Sequence, residues 1–451
     1  MALVTKGIKG TQDTLPGESY KIRFLEATIA EIADNYGFKE IRTPVFEHTE
    51  LFSRSVGDTT DVVQKEMYTF DDKGGRSITL RPEGTAGAVR AYLEHGLFNE
   101  PAPQKLYYFT SCYRYEKPQA GRLREFHQFG VECFGTENPI QDAELIALAH
   151  EIFDFLGVRD LELRLNSIGC PKCRPLYQNA LHDYFAAHMD TLSETSKERL
   201  ERNPMRILDS KDPDDAALVP DAPVVLDYLC DECREHFEKV KAFLSAMDIP
   251  FSVDAGIVRG LDYYTKTVFE FVSDQIGAQG TVLGGGRYDG LCEELGGKSI
   301  PALGFAMGME RLRLLMDAQG IDIPPEEPVT LYLAPAGDAA ALKAATIAQA
   351  LRMEGCSCLF DTVGRSIKAQ MKYANKIGAA FVAVIGDNEL ESKEVQLKFM
   401  KTGETTAVSL DTFVEEFGTL AIQQEVAALS DELGSDTLSD LDLKAILEGS
   451  N

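Results

Sequence analysis

The chain has 451 residues, enough for two or three domains with cores of their own. Apolar residues make up 44% and charged residues 26%, ordinary values for a globular protein, and no apolar run reaches the ~18 residues that a membrane span needs. The formal charge of −27 excludes a general nucleic-acid coat, because phosphate repels such a surface, although a local basic cluster can still bind one.

The N-terminus, Met1-Ala2-Leu3-Val4-Thr5-Lys6, lacks a signal-peptide core, so a cytoplasmic protein is expected. Residues 20–36 place Ile22, Leu25, Ile29, Ile32 and Tyr36 at spacings of three and four, which predicts an amphipathic helix stopped at Gly37. Residues 41–46 read as a strand, and Pro44 within it marks an edge or a bulge, a place that suits a subunit seam. Strands are predicted over 66–81 and 104–115, with 123–134 as the antiparallel partner of the latter across the polar loop 116–121. A helix follows over 142–156, stopped at Gly157. Strands over 268–272 and 281–283 lead into Gly284-Gly285-Gly286, and a short strand over 302–305 runs into a helix over 309–319. The stretch 320–328, with Pro324, Pro325 and Pro328, is a linker by composition.

Beyond the linker the pattern changes. Strands over 329–334, 356–360, 380–385 and 395–399 and helices over 338–353, 366–377 and 410–418 describe a small α/β domain of about 90 residues. The expected fold class is therefore α+β, an antiparallel sheet with flanking helices followed by an α/β domain.

Five segments carry chemistry. Arg259-Gly260-Leu261-Asp262-Tyr263-Tyr264-Thr265 joins a fixed cation, a carboxylate, two phenols and a turn-permitting glycine. It suits a pocket for a small polar ligand beside an anion, and equally a strand end with a surface arginine. Around the 116–121 loop, Arg114 and Glu116 alternate on one strand face, and Gln128, Gly130 and Glu132 share another, with Phe126 able to stack under a base. A solvated sheet face with salt bridges is the alternative there. Arg311 stands in the first turn of a helix, where the backbone already favours anions, and could also be merely exposed. Arg81-Pro82-Glu83-Gly84-Thr85 puts a carboxylate and a hydroxyl in a turn that could grip an ammonium group, or form an ordinary turn. Gly284-Gly285-Gly286-Arg287-Tyr288-Asp289 lacks the ending of a phosphate-binding loop and reads as backbone lying close under a flat ligand.

In their order these pieces resemble the three motifs of class II aminoacyl-tRNA synthetases. Helix 20–36 with Pro44 resembles motif 1, Tyr113-Arg114-Tyr115-Glu116 through Phe126 resembles motif 2, and the run 304–311 ending in Gly308-Met309-Glu310-Arg311 resembles motif 3. The runs Arg259–Tyr264 and Gly284–Asp289 are peculiar to the histidyl branch, so the chain resembles the histidyl-tRNA synthetases over roughly residues 1–420.

The resemblance implies a class II catalytic domain over 1–325 with a six-stranded antiparallel sheet, an insertion over about 171–250, and an anticodon-binding α/β domain over 326–420. It implies a homodimer that joins L-histidine to ATP, giving histidyl-adenylate, and then transfers the acyl group to histidine tRNA. ATP would bring Mg²⁺, which offsets phosphate charge. By the same resemblance Arg114, Arg259 and Arg311 are catalytic. Arg114 bridges the attacking carboxylate and the α-phosphate. Arg259 stands where related enzymes use a metal ion, and Arg311 clamps the γ-phosphate with Arg122 nearby. Phe126 stacks on adenine and Glu116 lies near its edge. Glu83, Thr85 and Gln128 hold the ammonium group. Glu132 and Tyr264 read the imidazole, with Tyr263 lining the pocket. Lys117, Gln119 and Arg122 would approach the tRNA acceptor end, while Arg365, Lys368 and Lys372, with Lys376, would form a basic stripe on one helix or simply a solvated face. Two relatives with this fold are rivals. A non-catalytic regulatory subunit of histidine synthesis would lack the anticodon domain, and a sensor of uncharged tRNA would need effector regions for which the length leaves no room.

Nine cysteines, an odd number scattered along the chain, argue against a secreted disulfide framework. Cys170-Pro171-Lys172-Cys173 and Cys230-Asp231-Glu232-Cys233 bracket the insertion and form the inventory of a four-thiolate zinc site, with reduced thiols as the alternative. Residues 421–451 carry seven acidic side chains and one lysine, and read as a disordered acidic tail in which Leu438, Leu441, Leu443 and Leu447 could line a short helix.

Overall fold

The computed structural model describes residues 5–433 apart from 58–59, 61, 211, 278–279 and 327. The leucines expected to line a tail helix lie outside the described residues. The chain divides into two compact units at Pro324–Pro325.

The first unit is organised by one sheet. Six antiparallel strands follow one another in the order Gln104–Tyr113, Glu125–Phe134, Ala302–Gly308, Thr281–Arg287, Thr265–Val272 and Glu162–Ser167. Two-residue strands, Lys39–Glu40 and Ser252–Val253, add parallel edges and make the sheet mixed. Because side chains alternate across a strand, this sheet has two unlike faces. Phe129, Val131 and Cys133, with Leu303, Phe305 and Met307 and with Phe269 and Phe271, enter the apolar core against helices Pro16–Asn35 and Pro139–Phe155. The residues between them face the other way and are mostly small. In register, Gly304 opposes Glu132 and Gly286, Ala306 opposes Gly130 and Gly284, and Gly308 opposes Gln128. A floor of mostly small residues is thereby built into the middle of the sheet.

Two expected strands are redrawn. The strand over 41–46 does not form. Pro44 has no N–H to give a ladder, so Lys39–Glu40 joins the large sheet while Phe46–His48 pairs with Ser77–Leu80 in a separate three-stranded sheet. The strand over 66–81 is a hairpin of Tyr68–Asp71 and Ser77–Leu80, turned by Asp72, whose carboxylate accepts the N–H groups of Gly74 and Arg76 at 2.8 and 2.9 Å. Between strands Glu162–Ser167 and Ser252–Val253 lies a helical insertion that includes helices Arg174–Ala186, Glu194–Arg202, Pro213–Leu218 and Asp231–Ala246.

The second unit has a five-stranded sheet in the order Cys358–Phe360, Leu331–Pro335, Phe381–Ile385, Glu394–Phe399 and Thr405–Ser409, parallel across the first three and antiparallel beyond. Helices Asp338–Met353 and Ile367–Lys376 occur where the pattern places them. The final helix, Phe413–Leu433, continues well past the expected end at 418 into the segment read as a tail.

Candidate functional site

A cavity of about 490 Å³ opens over the small-residue floor. Its lining brings together Glu83, Thr85, Arg114, Glu116, Arg122, Phe126, Gln128, Arg259, Tyr263, Tyr264 and Arg311, from segments far apart in sequence.

Arg259 has φ +57°, a left-handed conformation that a non-glycine residue keeps only where its surroundings fix it. Its guanidinium pairs with Glu270 and lies 5.4 Å from the Tyr264 ring centre. Burial opposes its charge, but Tyr264 and Glu270 overcome burial and hold it protonated. The glycine run finds its use here. A Cβ on Gly284 would lie 2.3 Å from Arg259 Nη1 and 2.6 Å from Cζ, so the bare backbone is a bed for this guanidinium. Gly285 and Gly286 instead relieve contacts with neighbouring strands. The flat group over Gly284 is thus the protein's own arginine.

Arg114 donates from Nε to Pro82 O at 2.8 Å, and its Cζ lies 5.3 Å from the Phe126 ring centre. Arg311 donates from Nη1 to Thr281 O at 2.6 Å. Burial lowers its pKa, and Arg122 and Arg114 lower it further, while Glu116 works the other way. Cations crowded against their own desolvation are relieved by a polyanion. Arg122 pairs with Glu116, which is buried.

The end of the cavity that carries Glu83 and the tyrosines is set deeper. Glu83 accepts the N–H groups of Thr85 and Ala86 at 2.7 and 2.9 Å, which fixes it at the start of helix Thr85–Glu94. Burial raises its pKa. Tyr263 and Tyr264 are buried with ring centres 4.7 Å apart. Gln128 accepts from Cys112 Sγ at 3.3 Å. Glu132 is fully buried beneath the cavity rather than on its lining. One carboxylate oxygen accepts from Tyr108 at 2.8 Å and the other from Tyr288. Burial raises its pKa to about 8 against the pull of the Tyr288, Tyr108 and Thr85 hydroxyls.

Several partners escape a reading of the sequence. Glu270 is a lone carboxylate within an otherwise apolar strand end, a signal that was available. Tyr108 carries no signal of its own. Tyr288 lies in a segment already singled out, but nothing in the spacing shows that it reaches Glu132. Its neighbour Arg287 points to the opposite side and is wholly buried, pairing with Asp142 at 2.6 Å.

Lys117 and Gln119 lie in the loop beside the cavity, and a bridge between Gln119 and Arg122 closes its turn. In the second unit Arg365 precedes the helix instead of riding on it. It pairs with Asp361 at 2.6 Å and lies 4.4 Å from the Tyr373 ring centre. The helical stripe therefore consists of Lys368, Lys372 and Lys376, all exposed.

The four cysteines converge. The Sγ atoms of Cys170, Cys173, Cys230 and Cys233 lie within 4.8 Å of one another, with Cys170 3.7 Å from Cys173 and 4.0 Å from Cys230. A tetrahedral zinc with Zn–S of about 2.3 Å sets sulfurs about 3.8 Å apart, so the set fits. The Cys230 N–H donates to Cys173 Sγ at 3.1 Å. Burial works against the Cys170 thiolate, but the N–H groups of Cys173 and Lys172 bring its pKa down to about 7.

Comparison with known proteins identifies the family. The family model for histidyl-tRNA synthetase matches residues 10–312, and one for an anticodon binding domain matches residues 330–420. The histidine–tRNA ligase of Caldanaerobacter subterraneus subsp. tengcongensis is 56% identical over 91% of this chain and 98% of its own length. That of Acetivibrio thermocellus is 54% identical over 91% of this chain and 99% of its own. Among solved structures, apo histidyl-tRNA synthetase of S. aureus superposes with a TM-score of 0.80 at 42% identity, covering 92% of this chain and all of that one. With the family model matching residues 10–312 and relatives more than half identical over 91% of this chain, the chain belongs to the histidyl-tRNA synthetase family.

Proposed function

We propose that the cavity joins L-histidine to ATP as histidyl-adenylate and that the histidyl group is then transferred to the 3′ end of histidine tRNA, with AMP leaving, in keeping with the histidine–tRNA ligases it resembles. The observation that carries this reading is the pairing, within one cavity, of a crowded arginine cluster with a buried tyrosine and carboxylate pocket. A triphosphate relieves the first, and an imidazole with its polar hydrogens suits the second.

In this reading histidine's carboxylate attacks the α-phosphate of ATP in line, and pyrophosphate leaves. Such a step needs charge stabilisation more than proton transfer. Arg114 and Arg259 hold the α-phosphate from two sides and Arg311, with Arg122, holds the γ-phosphate. Phe126 offers a face to adenine, with Glu116 at its edge. Glu83, Thr85 and Gln128 hold the ammonium group, and Tyr264, Tyr263 and Glu132 select the ring. Mg²⁺ accompanies ATP as its counter-ion. In the second step Lys117, Gln119 and Arg122 meet the acceptor end of the tRNA, and Lys368 and Lys372, with Arg365 at the helix entrance, meet the anticodon arm. No helix among the described residues is long and apolar enough to cross a membrane.

Histidine-dependent exchange of pyrophosphate into ATP tests the first step. Exchange that depends on histidine and on no other amino acid is expected, and active-site-intact protein showing none would end the reading.

Two further assignments accompany it. The four cysteines hold a structural zinc, and the chain is a homodimer, for which the exposed Val45 and Phe46 at the Pro44 kink supply apolar surface. Protein purified without chelator is expected to carry near-stoichiometric zinc and to sediment at twice the chain mass. Metal-free protein defeats the first assignment, and a species of 49.7 kDa at micromolar concentration defeats the second.

A further inference from the structure

The helical insertion touches the 259–264 loop through two arginines. Arg206, on the turn Pro204–Ile207, donates from Nη1 to Arg259 O and from Nη2 to Gly260 O, both at 3.1 Å, and pairs with Asp262 at 2.6 Å. It thus grips the carbonyl of the one residue in this loop that holds a left-handed conformation. Arg174 donates from Nη2 to Tyr264 O, at the other end. Its Nε is buried and makes no hydrogen bond among the described residues, so this cation is held away from solvent by the loop it grips.

Arg174 is also the residue next to Cys173. Its N–H donates to Cys170 O at 3.0 Å, and it opens helix Arg174–Ala186. The same knuckle is zipped to the strand after Tyr264. Ile168 N–H donates to Lys266 O and Lys266 N–H to Gly169 O, both at 2.9 Å. A Cβ on Gly169 would come within 2.7 Å of Cys173 Cβ, so the knuckle is packed tightly.

We propose that the insertion positions the 259–264 loop, with Arg206 holding its Arg259 end, Arg174 holding its Tyr264 end, and the four-cysteine knuckle anchoring Arg174. Arg206 and Arg174 are positioning residues and act through Arg259 and Tyr264. The proposal rests on the histidine-activating reading of the cavity, and its last clause rests on the zinc assignment.

The two ends serve different tasks, so the two arginines carry different kinetic signatures. Loss of a charge-assisted hydrogen bond to a buried carbonyl changes an equilibrium by roughly ten- to a hundredfold. In pyrophosphate exchange, Arg174→Gln is expected to raise KM for histidine by that factor with KM for ATP unchanged. Arg206→Gln is expected to lower kcat by a similar factor, because Arg259 loses its hold. Arg174→Lys and Arg206→Lys, which keep a donor, recover part of each loss and replace the glutamine variants where those fail to fold. Activities are normalised to adenylate-forming sites, counted in a single turnover. Losses that vanish on normalisation, with KM and kcat of the remaining sites at wild-type values, overturn the proposal as mere folding defects. Wild-type protein stripped of metal under reducing conditions is expected to match Arg174→Gln in its histidine KM. Stripped protein that keeps the wild-type KM while Arg174→Gln does not overturns the knuckle's part alone. Wild-type protein that activates no histidine overturns the reading of the cavity instead.

Discussion

Arg259→His is expected to slow histidine-dependent pyrophosphate exchange by roughly three to five orders of magnitude, the scale of a transition-state arginine. Histidine binding, read by equilibrium dialysis, is expected to change by less than about tenfold, since charge-assisted contacts to the amino acid remain at Glu83 and Glu132. Histidine is the informative replacement because it tolerates a left-handed backbone better than most side chains, and position 259 has φ +57°. Its shorter, mostly neutral ring at pH 7 cannot reach over Gly284 to replace a fixed positive charge. Glu270 loses its ion pair in the variant but keeps the Thr281 hydroxyl at 2.9 Å. A loss confined to histidine binding, with exchange restored at saturating histidine, would show the role to be misassigned.

Glu132→Gln is expected to weaken histidine binding by about a hundredfold and to flatten its pH dependence. Burial lifts Glu132 to about 8 from an ordinary 4.5. Near pH 7 the empty pocket therefore holds the neutral acid, whereas an imidazole N–H calls for the carboxylate, whose oxygens keep lone pairs beyond those that Tyr108 and Tyr288 use. Binding then releases a proton from Glu132 at pH 7. This contribution to affinity rises towards pH 8 and levels off above it. Calorimetry in buffers of different ionisation heat reads that proton, and an unchanged release in Glu132→Gln would sink the idea. Stability carries the matching sign. The native state keeps this proton longer than the unfolded chain, so Glu132 contributes a loss of stability as pH rises from about 4.5 to about 8. The glutamine variant lacks that decline.

The insertion gives the fold a logic that the pocket alone does not. Arg259 needs outside support for its backbone, and the support comes from a segment inserted between the last two strands at one side of the sheet.

Much of this was legible from residue order. Alternation and helical period announce strands over 104–115 and 123–134 and a helix over 142–156, which form as Gln104–Tyr113, Glu125–Phe134 and Pro139–Phe155. The arginines at 114, 259 and 311 took their roles from the order of the motifs that hold them, since each segment alone fits a structural task as well. Where the sequence misled, a local signal was outweighed. Pro44 ended one strand and sent the next into another sheet, and Asp72 turned a long strand into a hairpin. Arg365 was counted into a helical stripe by spacing alone, but Asp361 and Tyr373 hold it ahead of the helix.

By itself, the sequence determined the two-part architecture through hydrophobic period, and through the resemblance of its motifs the family and most of the cavity's lining, because residue type and motif order are local properties that survive without coordinates. Tertiary structure decided who touches whom. It gave Gly284 to the guanidinium of Arg259, Tyr108 and Tyr288 to Glu132, and Arg174 and Arg206 to the loop they brace. Each of those pairs joins segments distant in sequence through strand register or helix packing, and hydrogen-bond partners and burial, hence the raised pKa of Glu132, exist only once the register is set.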